Sequence, residues 1–175
     1  NKDFIFLYVG RLVRDKGINE LVYAFKRLLF KNKKFKLLLV GNFEHELDPL
    51  KKDVIDEINS NPNILFVGYQ KDIRPYLAIS NCFVFPSYRE GFPNVILQAG
   101  AMNVPCIVSN INGCNEIIKN RINGILISRK DVGELKEAML KISKDDDLRN
   151  KLSKNSRQII LKNFDQKSIW ESLRN

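Results

Sequence analysis

Short apolar runs alternate along the chain with longer stretches whose apolar residues recur at helical spacing. Residues 4–9 (Phe4, Ile5, Phe6, Leu7, Tyr8, Val9) form a run that ends at Gly10, and residues 35–40 form another that ends at Gly41. Further runs fall at 64–67, 82–85, 106–108 and 124–127. Short continuous apolar runs bounded by Gly or Pro read as strands covered on both faces. Between the first two, Ile18, Leu21, Val22, Phe25, Leu28 and Leu29 predict a helix over 18–30. Residues 47–59 read as a charged surface helix with Leu50, Val54, Ile55 and Ile58 turned inward. Residues 72–80 predict a short helix with Pro75 in its first turn, where proline is tolerated. Residues 94–102, apolar and small, predict a buried helix. From Asp131 onward the pattern is helical and charged, with helices over 132–143, 146–162 and 165–173. The run Asp145-Asp146-Asp147 reads as a solvated helix start, where acidic groups complement the dipole.

Strands separated by helices imply parallel pairing through right-handed crossovers. The expected fold is α/β: a Rossmann-like, doubly wound parallel sheet of about six strands, with helices on both faces. In such a sheet a ligand lies beyond the carboxyl ends of the strands, where strand order reverses. The loops that follow the strands are therefore where chemistry is expected. A length of 175 residues fits one domain. With 44% apolar and 28% charged residues, the composition is that of a soluble globular protein. No apolar run is long enough to span a bilayer. The chain opens directly into a core-strand sequence with no cleavable signal pattern, which suggests a boundary placed just before a domain.

Lys and Arg total 29 against 20 Asp and Glu, a net charge of +9. Such a balance favours anionic partners, namely nucleotide phosphates, lipid headgroups or nucleic acid. A Lys-, Asn- and Ile-rich composition also reflects coding bias, so charge alone does not choose among them. No strand interleaves basic and aromatic residues and no nucleic-acid motif occurs, which places nucleic acid last. Cys82 and Cys106 lie inside strand-like runs, where Cys acts as a small hydrophobe. With Cys114 the count is odd and no C-x-x-C occurs, so reduced thiols in a cytosolic protein are expected. A single histidine, His45 in a polar loop, argues against a metal site.

Two loops concentrate the candidate chemistry. In Gly10-Arg11-Leu12-Val13-Arg14-Asp15-Lys16-Gly17, two glycines bracket an Arg and a Lys at the mouth of the first strand. Glycine lets backbone approach a ligand, Arg forks onto phosphate oxygens, and Lys supplies a mobile charge. Cations near a helix amino terminus make an anion site; a tight turn with solvated charges explains the same loop equally well. The Gly-Lys-Ser/Thr ending of a Walker loop is missing, as is the dinucleotide glycine fingerprint. The second loop, Pro86-Ser87-Tyr88-Arg89-Glu90-Gly91-Phe92-Pro93-Asn94-Val95, leads into the buried helix. Pro93 suits a first helical position, so that the amides of Phe92, Asn94 and Val95 can face a diphosphate or a sugar hydroxyl. Glu90 is an acceptor for sugar hydroxyls or, alternatively, a helix-entry carboxylate.

In order and spacing these segments resemble glycosyltransferase family 4, of the two-domain GT-B architecture, from Phe4 to about Trp170. The matching pieces are Gly10-Arg11-Leu12 with Lys16-Gly17, Val40-Gly41, Phe66-Val67-Gly68, the stretch from Phe83 to Val95, Gly113-Cys114-Asn115-Glu116 and Asn123-Gly124. The resemblance implies that residues 1–175 are the carboxy-terminal, nucleotide-sugar-binding domain, with an amino-terminal acceptor domain outside this chain. It implies that Arg11 and Lys16 neutralise the donor diphosphate. Glu90 is similar to the first glutamate of the family's E-x7-E motif, which contacts the transferred sugar. Where the second glutamate holds the ribose, this chain has Gln98. An amide accepts one bond and donates another, so Gln98 still suits ribose with less charge. Gly68 and Tyr69 are expected near the base, with a plain surface tyrosine an equal reading of Tyr69, and Gly10, Gly91, Phe92, Asn94 and Val95 along the donor. Glu116 is expected to order the loop after the fifth strand rather than to touch substrate.

The resemblance further implies a retaining, metal-independent hexosyltransferase without cofactor, using a UDP- or GDP-sugar and a glycan or polyprenyl-linked acceptor. Surface polysaccharide such as capsule is the expected setting, in the bacterial cytoplasm or at the inner face of the membrane. Alone, the chain is expected to bind donor and transfer poorly. The substitution at Gln98 and the missing partner domain leave a second reading, a nucleotide-binding module without chemistry.

Overall fold

The computed structural model describes residues 3–44, 46 and 48–164. Six strands, β1 (Phe4–Val9), β2 (Phe35–Val40), β3 (Ile64–Phe66), β4 (Cys82–Phe85), β5 (Cys106–Ser109) and β6 (Gly124–Ile127), form one sheet in the order β3-β2-β1-β4-β5-β6. Every neighbouring pair is parallel. The chain winds outward from β1 in one direction and then from β4 in the other, so strand order reverses between these two central strands. The doubly wound sheet expected from the pattern is therefore present.

Helices α1 (Ile18–Leu29), α2 (Lys52–Ser60), α3 (Arg74–Ile79), α4 (Asn94–Ala101), α5 (Cys114–Ile117), α6 (Val132–Lys144) and α7 (Asp146–Asn163) cover both faces of the sheet. α1 packs against α2 and α6, and α4 packs against α5 and α7. The apolar stripe of α1 is buried as its spacing requires, with Ile18, Leu21, Val22, Phe25 and Leu28 all closed to solvent. Asp145 caps α7 by accepting from the Leu148 amide at 2.9 Å, which explains the acidic run. Among the described residues no helix is long and apolar enough to cross a membrane.

Several boundaries differ from the pattern for local reasons. The helix expected over 47–59 begins only at Lys52. Pro49 disfavours helical geometry in the residue before it, and Asp48 instead accepts from the Asp15 amide (2.6 Å) and pairs with Arg14 (2.9 Å). The helix expected over 72–80 is confined to Arg74–Ile79, because Asp72 folds back to accept from the Arg74 amide and guanidinium. Pro93 is not the first residue of α4. Its backbone is extended (ψ 94°) and it stands just before the helix, where its missing N–H still costs nothing. β3 is an edge strand with Leu65 and Phe66 exposed, so it is not covered on both faces. A 3-10 turn at Arg14–Lys16 and the four-residue α5 are too short to leave a periodic signal. The helix expected over 165–173 and His45 lie outside the described residues.

Candidate functional site

The reversal of strand order places the loop after β1 beside the loop after β4. Backbone bonds hold the first loop on both sides. The Leu12 amide donates to Asn42 O (2.8 Å) and the Arg14 amide to Asp48 O (3.0 Å), tying it to the segment after β2. On the other side the Tyr88 amide donates to Asp15 O (2.8 Å), tying it to the segment after β4. Gly17 has a left-handed backbone (φ 72°), and a Cβ there would collide with the Pro86 carbonyl. Only glycine lets the two loops approach this closely.

A cavity of about 590 Å³ opens between them at the carboxyl ends of the strands. Its walls carry Arg11 and Lys16 from the first loop, Asn42 and Glu44 from the second, and Tyr69, Gln70, Lys71 and Ile73 from the third. Glu90, Pro93, Val95 and Gln98 complete it from the fourth. Tyr8 and Gly10 also line it. Tyr8 is fully buried, stacks on Phe85 and donates its hydroxyl to Arg11 O at 2.8 Å. Burial first, and then the nearby charges of Glu90 and Asp15, pushes its hydroxyl far above the ordinary range, so it stays a donor that fixes the Arg11 backbone.

Two ion pairs span the cavity. Lys16 Nζ lies 2.6 Å from Glu90 Oε1, with only 15% and 14% of the two side chains exposed. Arg11 Nη1 lies 2.9 Å from Glu44 Oε2 at a more open position. Next to Glu90, α4 begins without a side-chain cap, so its first amides are available to a ligand. The loop holding Glu90 is backed from behind: Gly113 (φ 78°) sits so close to the Gly91 carbonyl that a Cβ would collide with it. Glu116 accepts from the Gly113 amide at 3.2 Å, the ordering role expected of it. Burial, followed by the charge of Glu90, raises the Cys114 thiol to about 12. All three cysteines are buried and unpaired.

The structure thus brings together Gly10, Arg11, Lys16, Tyr69, Glu90, Val95 and Gln98 from the expected set. Gly68, Gly91, Phe92 and Asn94 do not line the cavity. Gly68 turns at φ 69° and spends its carbonyl on the Gly41 amide (2.9 Å), leaving Tyr69 and Gln70 as the wall. The Gly91 carbonyl backs onto Gly113, and Asn94 is exposed. The Phe92 ring instead packs on Phe164, with centroids 5.8 Å apart. Sequence reasoning missed Tyr8, Asn42, Glu44, Gln70 and Lys71. Lys71, a third cation, could have been found from its position just after the third strand. No local signal pairs Glu44 with Arg11.

The glycosyl transferases group 1 family matches residues 1–159 of the sequence. This chain belongs to that family. Within it, the capsular polysaccharide biosynthesis glycosyltransferase CapM of Staphylococcus aureus is 35% identical over 99% of this chain and 45% of its own length. An Escherichia coli UDP-Gal:alpha-D-GlcNAc-diphosphoundecaprenol alpha-1,3-galactosyltransferase is 36% identical over 92% of this chain and 42% of its own. The crystal structure of Anabaena Alr3699/HepE with UDP and glucose superimposes with a TM-score of 0.85 at 21% identity, over 99% of this chain and 49% of that one. This group 1 chain spans about half the length of the curated relatives it matches. The resemblance read from the loops and the family membership agree.

Proposed function

We propose that this chain is the donor-binding domain of a retaining glycosyltransferase that moves a hexosyl group from a nucleoside diphosphate sugar to a glycan or lipid-linked acceptor. One observation carries the reading: Arg11, Lys16 and Glu90 face one cavity at the reversal of strand order, which Val95 in the uncapped first turn of α4 also lines. Departure of a nucleoside diphosphate builds negative charge on its β-phosphate as the sugar C1–O bond breaks. Arg11 and Lys16, released from their carboxylates, neutralise that charge together with the helix start. Glu90, released in turn from Lys16, accepts from sugar hydroxyls and fixes the face on which the acceptor oxygen bonds to C1, its hydroxyl proton passing to the departing β-phosphate. No step is assigned to a divalent ion. The acceptor comes from an amino-terminal domain across a cleft, in surface polysaccharide synthesis at the cytoplasmic side of a membrane. The polysaccharide setting is suggested by the Staphylococcus aureus relative, a glycosyltransferase of capsular polysaccharide biosynthesis.

UDP is the favoured nucleotide, since the Anabaena structure holds UDP and glucose. Thermal denaturation of the chain with UDP, GDP and ADP tests this. A ligand at one hundred times its Kd stabilises by about 2.7 kcal/mol, and for a domain of this size each kcal/mol moves Tm by about 2–4 °C. UDP is expected to raise Tm by about 5–10 °C. No shift from any of the three nucleotides would remove the reading.

Gln98 lies at the cavity with its side chain accessible. Because an amide still offers one acceptor and one donor to ribose, Gln98→Glu is expected to change UDP affinity by less than about tenfold, about 1.4 kcal/mol. Titration calorimetry checks this; a larger gain would mark Gln98 as an impaired position and favour a module without chemistry.

A further inference from the structure

A second cavity, of about 640 Å³, adjoins the first and shares Glu90 with it. It lies across the carboxyl ends of β4, β5 and β6, on the opposite side of Glu90 from the first strand. Tyr88 and Arg89 form one wall, Asn110 and Asn112 the floor, and Ser128 and Arg129 the far side.

The charges here are unbalanced. Among the described residues no carboxylate pairs with Arg129 or with Lys130. Lys130 instead rests its ammonium over the Tyr88 ring, 4.8 Å from the centroid, and so stands at the rim of the groove. Arg89 has one long contact, 3.3 Å to Asp15, and is 85% exposed. The acidic groups nearby are engaged. Glu90 holds Lys16 at 2.6 Å, and Glu134 accepts from the Ser128 amide at 2.7 Å. The Tyr88 hydroxyl donates to Glu20 at 2.6 Å, which fixes the ring beneath the ammonium. A groove with two guanidinium groups, an ammonium and two exposed asparagine amides selects a ligand that is both hydroxylated and anionic.

We propose that this groove is an acceptor subsite for a sugar that carries a negatively charged group, phosphate or carboxylate. The inference rests on the donor reading above, because it needs the transferred sugar at Glu90. With the nucleotide on the Arg11 side of Glu90, an acceptor hydroxyl reaching the sugar brings its neighbouring substituents into the groove. Arg89, Arg129 and Lys130 hold the anionic substituent there. The acceptor of the Escherichia coli relative, GlcNAc-diphosphoundecaprenol, carries a diphosphate on its sugar, which is one source of such a charge. A uronate carboxylate is the other.

The chain is titrated with N-acetylglucosamine 1-phosphate, glucuronate and neutral N-acetylglucosamine, each with and without saturating UDP. One or both anionic sugars are expected to bind in the presence of UDP, and the neutral sugar to bind at least about tenfold more weakly. Preference for the phosphate or the uronate identifies the source of the charge. The double variant Arg89→Gln, Arg129→Gln should lose at least about tenfold in that affinity while UDP affinity stays within about twofold. Competition between UDP and the sugar anion for one site, or unchanged binding in the double variant, would overturn the groove. If UDP itself fails to bind while the arginine-dependent binding persists, the donor reading falls and an anion-binding groove remains. Lys130→Gln, a rim position outside any element, gives the same readout with the least risk to folding.

Discussion

Arg11→Ala combined with Lys16→Ala is expected to abolish the UDP-induced rise in melting temperature. Each side chain supplies a charge-assisted contact to phosphate, about 1.5–3 kcal/mol apiece. Removing both should cost about 3–6 kcal/mol, roughly a hundredfold to ten-thousandfold in affinity. The unliganded arrangement adds to this loss. Both cations are held by carboxylates in the cavity, Lys16 by Glu90 and Arg11 by Glu44. Deleting the cations leaves those carboxylates facing the incoming diphosphate, so repulsion joins the lost attraction. Glu44→Gln should move the other way. It frees Arg11 from a competitor, and UDP binding is expected to hold or to tighten by up to about fivefold, within the roughly 1 kcal/mol range of an exposed ion pair. The effect should shrink at high salt, where exposed charges are screened. Calorimetric titration of the chain and its variants at two ionic strengths reads all three. A double variant that binds UDP as the parent does would remove both cations from the site.

That contrast separates the parts of the site written in local sequence from those that only folding brings together. The cations and Glu90 were legible because each lies in a loop directly after an apolar run, and the sheet rule puts such loops at the ligand. The partners were not. Glu44 is 33 residues from Arg11 and Glu90 is 74 from Lys16, and no periodicity links them. Tyr8 sits inside a strand and looked like core, which it is; it also floors the cavity because strand β1 ends there. The fold divides in the same way. Long-range order followed from strands and helices alternating, whereas the delayed start of α2 depended on Pro49 and on Asp48 turning to the first loop. The 3-10 turn and α5 are set by contacts between loops, so their signal lies in packing and not in local sequence. The groove beside Glu90 was invisible for that reason: Arg89 and Arg129 meet only once β4 and β6 flank β5.

Gly17→Val should be strongly destabilising, and should weaken UDP binding although Gly17 itself does not line the cavity. Gly17 stands between the 3-10 turn carrying Lys16 and the start of α1, at φ 72° and ψ 22°. Its amide donates to Arg14 O (2.9 Å) and its carbonyl accepts from Leu21 (3.0 Å), so the left-handed geometry is fixed from both sides. A β-branched residue there costs about 1–2 kcal/mol for the backbone alone. Its Cβ would also overlap the Pro86 carbonyl at the exit of β4, and that neighbour is backbone, which cannot swing aside. Relief requires the two loops to separate, at a further cost of about 1–3 kcal/mol by analogy with overpacked cores. The expected total of about 2–5 kcal/mol lowers Tm by roughly 4–20 °C. Separation also pulls Lys16 away from Glu90, so the surviving folded protein should bind UDP at least about tenfold more weakly. Gly91→Ala is the control: its φ is ordinary and nothing lies within 4 Å of the added methyl, so Tm should stay within about 2 °C. Scanning calorimetry and UDP titration of the two variants decide the matter. Equal melting temperatures would mean that the close approach of the two loops contributes nothing to stability. A destabilised Gly17→Val variant with parental UDP affinity would mean that the position of Lys16 does not depend on it.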